Sequence, residues 1–167
     1  MKIREAIRDD LSQLTEIYNQ AIRAGFQTAD RTPLSVEDRR PWFESHQKVK
    51  YPLWVAEEEG RIMGYLTLSP YRPGREALRF TSEISYYIHC DVQGRGVGSR
   101  LMAHALEAAP SLGHRTLFAI LIDRNKGSIA LLEKFGFVKW GHLPAIADYD
   151  GEEAGQYYYG RRLTGEM

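Results

Sequence analysis

One cysteine, Cys90, in 167 residues leaves no partner for an intramolecular disulfide, and neither a leader-like segment nor an apolar run of about eighteen residues points to secretion or a membrane span. A cytoplasmic protein with no membrane partner is expected. An excess of one charge is missing too. The 22 basic and 22 acidic side chains cancel without long blocks of either sign, which removes the footprint of a nucleic-acid binder. Repeats and low-complexity stretches are absent, which excludes a solenoid or a pair of units on a flexible linker, so one domain over residues 1–167 is expected. His46, His89, His104, His114 and His142 show no metal-ligand spacing, and no metal is expected. Cys90, at the end of a strand-like run, is expected to be a small buried hydrophobe rather than a nucleophile.

Strand-like and helix-like segments alternate along the chain. Lys2 to Ile7 reads as a strand, and Leu11, Leu14, Ile17, Tyr18, Ala21 and Ile22 recur at helical spacing after the candidate caps Asp9 and Asp10. Ser35 and Asp38 resemble a capping signal for a second helix carrying Trp42 and Phe43, which Pro41 should kink or whose start it should shift. Pro52 to Ala56 and Ile62 to Leu68 flank the polar turn Glu58-Glu59-Gly60-Arg61 and predict an antiparallel hairpin. A strand over 81–89, a helix ending by Pro110 and Gly113, and a strand over 116–122 follow. A helix over 129–135 closed by Gly136 and strands over 137–143 and 156–163 complete the reading.

Between the strand ending near Ile88 and the helix opening near Ser99 lies Gln93-Gly94-Arg95-Gly96-Val97-Gly98. Three glycines before a helix N-terminus make a pyrophosphate cradle of successive amides and a positive dipole end. No Lys-Ser or Lys-Thr follows, so the Walker arrangement is absent. A dinucleotide fingerprint fails as well, since it needs Gly at Ser99 or Leu101.

The motif resembles the Arg/Gln-x-x-Gly-x-Gly/Ala signature of the GNAT acyl-CoA N-acyltransferases. Its neighbours agree in order: Glu83-Ile84-Ser85-Tyr86-Tyr87-Ile88-His89 before it, then Ile122-Asp123-Arg124-Asn125-Lys126-Gly127-Ser128, then Glu133-Lys134-Phe135-Gly136-Phe137. Glu16-Ile17-Tyr18-Asn19, Thr32-Pro33 with Arg39, Gly64-Tyr65, Pro70-Tyr71-Arg72-Pro73 and Thr81-Ser82-Glu83 resemble one branch, the phosphinothricin and methionine sulfoximine N-acetyltransferases, from about Ile3 to about Leu143. The resemblance implies an α/β (α+β) GNAT fold: one mixed, mostly antiparallel sheet of about six to seven strands, splayed between the fourth and fifth, with about four helices.

It also implies an acetyl-CoA co-substrate, a small amino-acid-like primary amine as acceptor and, as in much of the branch, a homodimer. Main-chain groups of Tyr86, Tyr87 and Ile88 would pair with the pantetheine amides. The loop from Gln93 through Gly94, Arg95, Gly96, Val97 and Gly98 to Ser99 would hold the pyrophosphate, with Arg95 and Arg100 either adding charge or simply solvated, and Asn125 would bond the pantetheine region or cap a helix. Glu83 matches the branch's strand-entry carboxylate, as general base or as a substrate-orienting group. Arg72 and Arg79 would grip a substrate carboxylate, with Glu83 and Ser85 lining the acceptor side. Leu132 departs from the pattern of the family, where many members carry Tyr, and members of the branch often His, at that place, leaving Tyr86, Tyr157, Tyr158, Tyr159, the substrate or solvent to protonate the thiolate. A non-catalytic acyl-CoA-binding domain and a protein or peptide N-acetyltransferase are the competing readings.

Overall fold

The computed structural model describes residues 1–46 and 49–163. Its seven-stranded sheet runs in the order β1-β2-β3-β4-β5-β7-β6, built from β1 (Lys2–Glu5), β2 (Leu53–Glu58), β3 (Arg61–Pro70), β4 (Thr81–Ile88), β5 (Thr116–Ile122), β6 (Val138–Tyr149) and β7 (Glu152–Arg162). Every neighbouring pair is antiparallel except β4 with β5. The β2–β3 turn puts Glu59 and Gly60 at φ 51° and 78°, the two left-handed residues that suit a twisted two-residue hairpin.

Four α-helices cover the sheet. On one face α1 (Leu11–Ala24) buries the stripe Leu11, Leu14 and Ile17 with Phe43 of α2 (Val36–Ser45), Val55 and Tyr65. On the other, α3 (Val97–Ala108) and α4 (Lys126–Lys134) pack Leu101, Met102 and Leu132 on Leu117 and Phe137.

Three expectations need correction. Pro41 does not shift α2's start: Ser35 and Asp38 close a reciprocal capping box of 3.1 and 2.9 Å, and Pro41 sits inside the helix on the exposed side, where water can take the freed carbonyl of Glu37. The helix expected from Ile129 begins at Lys126, because the Asn125 side chain accepts from Ser128 N and starts the first turn three residues earlier. The last two strands are longer than periodicity suggested, because β6 slips register at Lys139/Gly141 and Leu143/Ala147 and those irregularities break its alternation.

Candidate active site

The parallel neighbours β4 and β5 are zipped only at Thr81↔Thr116, Ser82↔Leu117 and Glu83↔Phe118. Beyond that point β4 pairs outward with β3 as far as Ile88, and β5 pairs outward with β7 as far as Ile122. The two inner edges therefore part and turn main-chain donors and acceptors into the gap. A cavity of about 690 Å³ fills it, walled by Ser85, Tyr86, Tyr87 and Ile88 on one side and by Ala119, Ile120 and Leu121 on the other.

Gln93, Gly94, Gly96, Val97, Gly98 and Ser99 close the open end of this gap. Gly94 and Gly96 stand at φ 73° and 83°, a region that costs an L side chain strain, and Gly96 is the N-cap of α3, whose free amides face the cavity mouth. Gly98 sits close to its surroundings instead, since a Cβ there would lie 3.1 Å from Leu131 Cδ2 and that side chain would have to give by a few tenths of an ångström. Asn125 takes the capping role, accepting from Ser128 N at 3.2 Å at the start of α4, and it also lines the cavity. Lys134, which sequence reasoning did not single out, also lines it and donates to Ser99 Oγ at 2.9 Å, tying α4 to the first turn of α3. Arg95 is exposed and outside the lining, and Arg100 donates to the Met1 carbonyl at 3.2 Å.

Glu83 ends the zipped segment, and alternation puts it on the same face of β4 as Ser85 and Tyr87. That face meets the α1 layer, as the Tyr87 ring shows by packing 5.0 Å from Tyr18 and 5.6 Å from Tyr65. Glu83 is half-buried, and burial raises its carboxyl above the ordinary carboxylate value. Two neutral histidines brace its strands. His114 donates from Nε2 to the Lys50 carbonyl (2.8 Å) and accepts at Nδ1 from Ser82 (2.7 Å). His46 donates from Nδ1 to the Trp42 carbonyl (2.8 Å) and accepts at Nε2 from Ser69, the cross-strand partner of Glu83 (2.9 Å). The carbonyl partner sets each tautomer.

Arg72 and Arg79 do not reach the main cavity. They line a separate recess of about 210 Å³ with Tyr51, Tyr71 and Thr81, and the Tyr71 ring lies 4.9 Å from Phe118, the partner of Glu83 across the zipped segment. From the opposite side the α1–α2 loop closes over the gap. Phe26, at φ 58°, lines the cavity under the Arg124 guanidinium (4.7 Å) and against Tyr149 of β6 (4.6 Å). No local sequence signal marks Phe26, because its place depends on a loop and two strands that are distant in the chain.

A family model described as the Acetyltransferase (GNAT) family matches residues 11–137. The chain belongs to the GNAT acetyltransferase family. It is 41% identical over 165 residues to YwnH of Bacillus subtilis (strain 168), provisionally named a phosphinothricin acetyltransferase, covering 98% of this chain and 100% of that one. It is 33% identical to the L-methionine sulfoximine/L-methionine sulfone acetyltransferase of Salmonella typhimurium, over 87% and 85% of the two chains. Among solved structures it superposes with a TM-score of 0.91, at 31% identity and over 97% and 88% of the chains, on a GNAT superfamily phosphinothricin acetyltransferase from Sinorhizobium meliloti in complex with AcCoA.

Cys90 is exposed, not buried as expected, because the strand has already ended and a short 3-10 turn carries it outward. Among the described residues, His89, Cys90 and Asp91 come close enough together to hold a metal ion, a grouping that the spacing of the histidines alone did not suggest, and Arg61 donates to Asp91 at 2.6 Å. No helix among the described residues is long and apolar enough to cross a membrane.

Proposed function

We propose that this chain is a one-domain, cytoplasmic, acetyl-CoA-dependent N-acetyltransferase whose acceptor is the primary amine of a small amino-acid-like molecule of the phosphinothricin or methionine sulfoximine kind. The observation that carries the reading is the gap between β4 and β5, whose unpaired main-chain edges run to a glycine cradle at a helix N-terminus. A pantetheine arm is a chain of amides, so edges at Tyr86, Tyr87 and Ile88 suit it as they would suit a strand. The amides of Gln93 to Ser99 suit the pyrophosphate, and Asn125 and Lys134 suit the arm where it passes α4.

For transfer, a neutral amine attacks the thioester carbonyl directly. Glu83 takes its proton, either at the carboxylate or through one water, and the raised carboxyl suits a base better than an ordinary carboxylate does. A β4 amide near Ile88 steadies the oxyanion. Arg72 and Arg79, on the recess that adjoins Phe118, hold the acceptor's acidic group, and Ser85 completes the acceptor wall. A homodimer belongs to this reading, supported by the edge strand β6, which leaves Val138, Trp140 and Ile146 about half exposed on a pairable edge.

The test is a turnover screen with acetyl-CoA, read as free thiol, across amino acids, their sulfoximine, sulfone and phosphinate analogues, polyamines and peptides. Turnover of the amino-acid analogues is expected. Preference for peptides would make it a peptide N-acetyltransferase, and tight acetyl-CoA binding with no turnover would make it a binding domain.

A further inference from the structure

We infer that Tyr86 donates the proton that the coenzyme A sulfur takes on leaving, so that this step is served from β4 rather than from α4. The inference rests on the acetyl-transfer reading. Leu132, which stands where many members of the family carry Tyr, is fully buried in the core and can donate nothing. Tyr86 packs against that same core cluster and lines the cavity, and its hydroxyl lies beside the Ser128 carbonyl of α4, a residue that lines the cavity too. The only hydrogen bond it makes among the described residues is a long one, 3.4 Å to the Ser128 carbonyl, which leaves the proton easily redirected. Burial pushes the phenol up to about 12, so it stays protonated at neutral pH.

The other phenols are committed elsewhere. Tyr87 faces the opposite layer against Tyr18 and Tyr65. Tyr159 donates to Glu133 at 3.1 Å, Tyr157 stacks on His142 and under Lys139, Tyr158 packs on Phe118, and none of these three lines the cavity. Strand alternation puts Glu83 and Tyr86 on opposite faces of β4, about 10 Å apart along it at ~3.3 Å per residue, with the parted edge between them. Base and acid thus approach a thioester in the gap from its two sides. As the C–N bond forms and the C–S bond breaks, sulfur keeps the bonding pair and takes the Tyr86 proton. The proton that the acylated nitrogen loses to Glu83 is returned through solvent to the phenolate, so transfer from the neutral amine releases none, and one proton per turnover goes to water only when the amine enters as its ammonium form.

The test has an arm that needs no acceptor. CoA and desulfo-CoA are titrated calorimetrically into wild type and Tyr86→Phe from about pH 7 to about pH 10, across the range in which a thiol near 8.5 ionises. A phenol donating to the thiolate should raise wild-type CoA affinity roughly 10-fold or more over that range, as a hydrogen bond to a charged group does. Desulfo-CoA should lack that rise, which removes the contributions of Arg124, Lys126, Lys134 and Tyr87, the other titratable groups lining the gap. Tyr86→Phe should bind CoA normally at pH 7 and lose the rise. A flat wild-type profile, or a rise that survives in Tyr86→Phe, overturns the inference. In the kinetic arm, with any amine that wild type acetylates, Tyr86→Phe should lower kcat roughly 10²-fold or more with the KM for acetyl-CoA unchanged, and wild-type kcat overturns it. Should Tyr86→Phe misfold, difluorotyrosine at position 86, with a more acidic phenol, should move the descending limb of the pH–rate profile to lower pH, and an unmoved limb overturns the inference. Wild type that acetylates no amine refutes the acetyl-transfer reading, while the titration still decides the role of Tyr86.

Discussion

The two ends of the β4–β5 gap are made from different material. At the open end the proposed site is main chain: one loop, Gln93 to Ser99, feeding one helix, with glycines at two left-handed positions and where the Leu131 side chain stands close. At the zipped end the proposed acceptor site is side chain: Glu83 from β4, Phe118 from β5, and Arg72 and Arg79 from the β3–β4 connection. A main-chain site recognises what every acyl-CoA shares, whereas a side-chain site can be altered one residue at a time without disturbing the first. Cofactor identity and acceptor identity should therefore separate under mutation.

The sharpest break falls at the open end. Gly96→Asp should weaken CoA binding roughly 10³-fold, because a carboxylate meets the diphosphate at like charge in the cradle. The fold should survive, since a Cβ at Gly96 would meet nothing within 4 Å, and the residual cost is left-handed backbone. Gly96→Asn shares that backbone cost without the charge, so calorimetry on both variants separates the two. Equal affinity in Gly96→Asp and wild type would remove the cradle from the cofactor site.

At the zipped end the separation should run the other way. Glu83→Gln should keep CoA affinity and lower turnover roughly 10²-fold or more. A change in KM alone would make Glu83 an orienting group. The pH profile sharpens this: with its carboxyl raised by burial, Glu83 loses base function at a higher pH than an exposed carboxylate would, so the ascending limb it contributes should vanish in the variant, and a limb that remains belongs to the substrate ammonium. Arg72→Gln comes next in size. It should raise KM roughly 10-fold for amines carrying a carboxylate and leave decarboxylated amines unchanged, which a pair of matched substrates measures directly.

The same contrast explains what the sequence disclosed. Gly94-Arg95-Gly96-Val97-Gly98 was legible because its chemistry is contiguous, and so were the Glu59-Gly60 turn, the Ser35–Asp38 cap and the stripe of α1. Resemblance, not spacing, pointed to Glu83, since one carboxylate in a strand has no local signature. Phe26 and Lys134 were hidden as site features for a geometric reason, since each acquires meaning only when segments distant in the chain meet around the gap, and Tyr86 stood as one of several candidate donors that only the packing tells apart. Cys90 and Pro41 misled because exposure, not residue type, decided both.

The smallest effect probes the scaffold beneath the side-chain end. Both buried histidines, His46 and His114, brace the strands around Glu83, through Ser69 and Ser82, and burial lowers the pKa of each. Their folded-state values lie below the unfolded reference near 6.5, so the unfolded chain binds more protons. Their contribution to stability is complete above that reference and is lost as pH falls from about 6.5 towards the depressed values. The thermal midpoint should drop over that window by roughly 2–4 °C for each kcal/mol lost in a chain of this size. His114→Gln, which cannot be protonated, should be less stable at neutral pH yet lose less on acidification. Parallel slopes for the variant and wild type would show that His114 does not carry the acid sensitivity. A slope steepened by saturating CoA would place that sensitivity at the main-chain end of the gap.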